Sequence, residues 1–138
     1  MMGTVYEEIT LKNAVDVGSV KRGYIKKPDI RETTVRAVVD TGAITLVINE
    51  DVRQKLGLGI ESKREATMAN NQKELCPVTE AVEVHWKDRM TSCQALVVPG
   101  NKEVLLGAIP LEGMDLMVNP VGRELVGAHG DKPVYMLY

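Results

Sequence analysis

Apolar and polar residues alternate with a period of two along most of the chain, as in strands with one buried face. Val5, Glu7, Ile9 and Leu11 share a face, which predicts an outer strand over 5–11, followed by a polar stretch around Gly18 and Gly23. A second strand is expected over 33–39, with Val35, Ala37 and Val39 on one face and Arg36 and Val38 on the other. Asp40-Thr41-Gly42 interrupts it, and Ala43 to Ile48 resumes as a continuous apolar run. Residues 49–57 read as a short helix: Asn49 can cap, Glu50 and Asp51 suit the positive end, and Gly57 can take the left-handed position that ends it. Val52 and Leu56, four apart, would face the core.

From Glu65 to Leu75 the residues are mostly small or polar, which predicts a projecting hairpin with its turn at Asn70-Asn71 and a mobile tip. Val78, Val82, Val84 and Trp86 share one side of the next strand, and Lys87-Asp88-Arg89 turns the chain back into 91–98. Glu103 to Gly107 is a short buried strand, Ile109 to Met114 a helical turn, and 115–118 with 123–126 a last hairpin about Asn119-Pro120-Val121-Gly122. The count is mainly β with one or two short helices, in a single domain over 1–138.

Composition narrows this picture. The chain has 19 Val, 12 Leu and 7 Ile but no Phe, so its core must be assembled from branched aliphatics, which favour strands. With 17 basic and 19 acidic side chains mixed along it, no surface for a phosphate backbone is implied, and Lys63-Arg64 and Lys87 with Arg89 read as short solvated turns. Nucleic acid is therefore not an expected partner. The start of the sequence lacks a basic region followed by an apolar stretch, and no apolar run reaches the ~18 residues that span a bilayer, so no membrane partner is expected. Cys76 and Cys93 are the only cysteines, and a cytoplasmic, reducing setting is expected. With only His85 and His129 beside them and no close ligand pair, no metal and no cofactor are called for. His85 is read as solvent-facing, Cys76 lacks a cationic neighbour that would make it a nucleophile, and Met114, Met117 and Met136 read as core or interface filling.

The chemistry points to Asp40. A carboxylate between Val38-Val39 and Ala43-Ile44 is costly unless it is hydrogen-bonded, and Gly42 lets the backbone present N–H groups to it while the Thr41 hydroxyl can bond elsewhere. Asp-Thr-Gly is also an ordinary turn composition, so an isolated β-domain with Asp40 as a structural turn residue is one reading.

The surrounding residues add a resemblance. Val38-Val39-Asp40-Thr41-Gly42-Ala43 resembles the active-site loop of aspartic proteases, and Leu105-Leu106-Gly107 is similar to the family's second hallmark, a strand supporting that loop. The hairpin around Met68-Ala69-Asn70-Asn71 lies where the family keeps its flap, and the order of features resembles the single-lobed, retropepsin-like branch found in bacteria and archaea. The resemblance implies a closed β-barrel acting as an aspartic endopeptidase. Asp40, Thr41 and Gly42 would be catalytic, and Ala43, Ile44, Met68, Ala69, Asn70 and Asn71 would contact substrate. Two carboxyls about 3 Å apart share one proton and divide into base and acid. The chain has one Asp-Thr-Gly, so the resemblance implies a homodimer on a two-fold axis with a peptide or protein substrate between the copies. The hairpin lacks a Gly-rich tip, and Ile44 stands where many relatives have a polar residue. A dimeric peptide-binding module with weak or no turnover is the alternative, and the role of the tail from Gly127 onward is open.

Overall fold

The computed structural model describes residues 4–121 and 123–137. Among the described residues nine strands and three short helices follow one another: β1 Tyr6–Asn13, α1 Ala14–Lys21, β2 Glu32–Val39, β3 Leu46–Ile48, α2 Glu50–Leu56, β4 Ile60–Thr67, β5 Lys73–Trp86, β6 Arg89–Val97, β7 Val104–Leu106, α3 Ala108–Gly113, β8 Leu116–Asn119 and β9 Glu124–Gly127. A 3-10 turn at Lys27–Asp29 precedes β2. One sheet runs in the order β1-β2-β7-β3-β6-β5-β4, and β1 also pairs with β5, so six strands close into a barrel and β4 hangs outside on β5. This is the mainly β, closed-barrel architecture expected above. β8 and β9 form a separate two-stranded sheet.

The barrel interior is filled by Ile9, Leu11, Leu46, Ile48, Val82, Val84, Trp86 and Leu106, and Leu56, Leu58 and Met114 close it from the helices and turns. Alternation drives this: Ile9 and Leu11 point inward from β1 while Glu8 faces out. Helix α2 forms as expected, with Asn49 accepting a hydrogen bond from the Val52 N–H (2.9 Å) and Gly57 in the left-handed region at φ 61°.

Several expectations need correction. β1 is not an outer strand: Thr10–Asn13 pairs with β5 while Tyr6–Lys12 pairs with β2, and this double pairing closes the barrel. The polar stretch around Gly18 is helix α1. Its sequence, with Gly18, Ser19 and three valines, is a poor helix former. The helix is held from outside its own sequence: Asn13 accepts the Asp16 N–H (3.1 Å) and donates to the Leu56 carbonyl (2.8 Å), and the Arg31 guanidinium grips Asp16.

The apolar run from Ala43 becomes a strand only at Leu46, and Leu75 and Val78 belong to a single strand, β5. Pro77 is tolerated there because β5 pairs only with β4 at that point, the β6 ladder starting at Val78. A register shift between Val78 and Ala81 places Thr79, not Val78, in the interior. Arg89 is not solvated. It is 4% exposed and donates to the carbonyls of Met114 (2.9 Å), Asp115 (2.7 Å) and Gly130 (2.6 Å), tying β6 to the final hairpin. That hairpin pairs as expected, although Gly122 of its turn lies outside the described residues, as do Met1–Gly3 and Tyr138.

Candidate active site

Asp40 sits at the end of β2, beside the parallel strand β7, which pairs Val39 with Leu106. Its backbone is pinned on both sides: the Asp40 N–H donates to the Leu106 carbonyl (3.0 Å), and the Asp40 carbonyl accepts the Ala43 N–H (3.1 Å), closing the turn. Within that turn the Gly42 N–H donates to Asp40 Oδ1 (2.9 Å). The carboxylate is half-buried, while Thr41, Gly42 and Ile44 are exposed.

The chain then crosses Gly107. The Ala108 N–H donates to the Ala43 carbonyl and the Ile109 N–H to the Ile44 carbonyl, both at 2.8 Å. A Cβ on Gly107 would lie 2.6 Å from the Ala43 carbonyl oxygen and nearer still to that of Thr45, so only glycine lets the two segments cross. Leu105-Leu106-Gly107 therefore supports the loop by three separate means. Leu105 pairs with Val47, the Leu106 carbonyl holds the backbone of Asp40, and Gly107 makes room for residues 43–45.

Opposite this loop stands the hairpin of β4 and β5. Its tip closes through Met68 N–H to the Gln72 carbonyl (2.7 Å) and Asn71 N–H to the Met68 carbonyl (2.9 Å), while Asn70 Oδ1 accepts the Gln72 N–H (3.0 Å). Asn71 takes φ 65°, a left-handed conformation that asparagine tolerates better than most residues, so the tip turns without glycine.

A cleft of about 940 Å³ lies between loop, hairpin and the turn at 98–101. Asp40, Gly42, Ala43, Ile44 and Leu105 line one side, and Met68 and Ala69 the other. Thr41 does not line this cleft, nor do Asn70 and Asn71 at the exposed hairpin tip, and Leu106 and Gly107 lie beneath the loop. The cleft also takes in Arg64, Glu65 and Glu74, which sequence reasoning passed over. Lys63-Arg64 is not a turn but part of β4. The signal was the alternation of Ser62, Arg64 and Ala66, obscured because an exposed strand carries no apolar face.

Asp40 is hydrogen-bonded to neither of the other two carboxylates in the cleft. Glu65 instead lies 3.8 Å from Lys73. The thiols offer no competing nucleophile. Burial pushes both Cys76 and Cys93 up from their ordinary value, the charge of Glu74 pushes Cys76 further, and His85 is engaged with Glu83 (2.9 Å).

A family model described as aspartyl protease matches residues 27–109, a span that contains the Asp40 loop, the hairpin and Leu105-Leu106-Gly107. Among solved structures, the chain is similar to a Legionella pneumophila protein of unknown function (11% identity, 87% of this chain and 95% of that chain, TM-score 0.46). It is also similar to a retropepsin-like aspartic protease from Rickettsia conorii (15% identity, 78% and 79%, TM-score 0.40). No curated protein matches the sequence.

Proposed function

The chain belongs to the aspartyl protease family, and we propose that it hydrolyses peptide bonds as a homodimer whose two Asp40 carboxyls form one catalytic pair. The observation that carries this reading is the Asp40 carboxylate, held by the Gly42 N–H at the mouth of a cleft that a hairpin faces. With Oδ1 bonded to Gly42, Oδ2 is the oxygen available to a water.

In the dimer the ionised Asp40 takes a proton from water, whose oxygen attacks the substrate carbonyl carbon, while the protonated Asp40 of the other copy donates to the carbonyl oxygen. The resulting gem-diol collapses as the now protonated first Asp40 gives its proton to the amide nitrogen, the other Asp40 takes a proton from a diol hydroxyl, and the C–N bond breaks to leave an acid and an amine. Thr41, next in sequence and exposed, would brace the two loops across the axis. The hairpins would lie over an extended peptide, with Met68 and Ala69 against it, excluding water from the reacting atoms.

Among the described residues no helix is long and apolar enough to cross a membrane. Cys76 and Cys93 are both free, which supports placing this chemistry in the reducing cytoplasm.

Asp40→Asn tests the reading. Cleavage of an unfolded protein should fall by at least about 100-fold with the fold and dimer intact. Excess Asp40→Asn protein mixed with wild type should suppress activity beyond simple dilution, because mixed dimers carry one competent carboxyl. Equal cleavage by mutant and wild type would sink the proposal. Peptide binding without turnover from acidic to neutral pH would establish the binding-module alternative instead.

A further inference from the structure

Beside the main cleft lies a second cavity of about 340 Å³, large enough for one side chain with some water. The two share Ile44, Thr45, Arg64 and Leu96, so a peptide passing Asp40 also passes this opening. Its walls are mixed, with Ile44, Val78 and Ile109 among the apolar residues and Ser62, Ser92 and Gln94 bringing polar atoms. No carboxylate lines it, and its single ionised residue is Arg64.

Arg64 is the one cation among the described residues that line the two cavities. Glu65 pairs with Lys73, and the Glu61 carboxylate accepts the Gln94 side-chain amide at 2.8 Å. The Arg64 guanidinium has neither an ion pair nor a hydrogen bond to another described residue. Arginine presents a planar fork of donors that matches a carboxylate, so an unpaired one at a cavity mouth is a recognition element for such a group. The position on the hairpin agrees. Arg64 opposes Cys76 midway along the hairpin, whereas Glu74 opposes Ala66, two residues or roughly 7 Å nearer the tip, so the cleft face is positive midway and negative toward the tip.

We propose that this cavity is a side-chain subsite for an Asp or Glu of the peptide substrate, with Arg64 as its specificity-determining residue. The proposal rests on the reading of the Asp40 cleft as a peptide-binding site and names the substrate class that it takes. Successive side chains on one face of an extended peptide lie about 7 Å apart, so the acidic residue sits within a few positions of the scissile bond.

A library of randomised ten-residue peptides tests it in two ways. Wild type is given the library and the cleavage products are sequenced; Asp40→Asn protein is given the same library and the bound peptides are sequenced. Up to about fivefold enrichment of Asp and Glu at one position is expected, the upper end for a charge pair at an exposed site. Arg64→Gln should abolish the enrichment, and Arg64→Glu should turn it toward Lys and Arg at the same position, which a merely structural role for Arg64 would not do. No acidic enrichment in either readout, or enrichment that persists in Arg64→Gln, overturns the subsite. Cleavage without acidic preference overturns the subsite and leaves the hydrolase standing. Acid-selective binding by Asp40→Asn with no cleavage by wild type keeps the subsite and removes the hydrolase.

Discussion

Gly107→Ala is the substitution that most directly probes how the Asp40 loop is held. The added methyl group would sit 2.6 Å from the Ala43 carbonyl oxygen, 2.9 Å from the carbonyl carbon, and nearer still to the Thr45 carbonyl oxygen. These are backbone atoms, so no side chain can rotate out of the way. Residues 43–45 must move by on the order of 1 Å, which lengthens the Ala108-to-Ala43 and Ile109-to-Ile44 hydrogen bonds now at 2.8 Å. Overpacking of this kind costs about 1–3 kcal/mol. The two weakened bonds add about 0.5–1.5 kcal/mol each. The sum, about 2–6 kcal/mol, is a large part of the ~5–15 kcal/mol that stabilises a domain. Thermal unfolding followed by circular dichroism should show Tm lowered by on the order of 10 °C. Gly18→Ala is the control. It lies in α1 with nothing within 4 Å of the new Cβ, and should stabilise by about 0.5–1 kcal/mol. A Gly107→Ala protein that melted within a degree or two of wild type would refute this crossing, which leaves no space for the methyl group.

Two further outcomes follow from other sites. Arg89→Leu removes three hydrogen bonds to carbonyls and should cost about 2–4 kcal/mol, with hydrogen exchange rising first across 114–130; uniform loss of protection across the barrel would contradict the anchoring role. Hydrogen bonds from Arg31, outweighing its burial, hold the Asp16 carboxyl below the usual range. A carboxyl whose folded value is depressed stabilises the protein fully above its unfolded value of about 3.9, and the contribution is lost as pH falls through the folded value. Asp16→Asn should therefore be less stable than wild type in urea at pH 6, with the gap narrowing below pH 4. A gap independent of pH would rule out this ion pair as its source.

Much of this protein is legible in its sequence, because local pattern and local chemistry determine it. Period-two alternation placed most of the strands, Asn49 and Gly57 bounded α2, and Asn70-Asn71 marked the hairpin tip. Asp-Thr-Gly placed an N–H against a carboxylate two residues away, a contact that three consecutive residues can make alone.

What the tertiary structure decided involves partners distant in the chain. Helix α1 depends on Leu56 and Arg31, and Arg89 is buried because three carbonyls of 114–130 need donors. The necessity of glycine at 107 appears only when residues 43–45 cross it. Arg64 looks like any solvated charge until β4 folds over the Asp40 loop. A period-two pattern tells which face of a strand is apolar, but which other strand or loop meets its polar face is set by barrel closure, through pairings as far apart as β1 with β5.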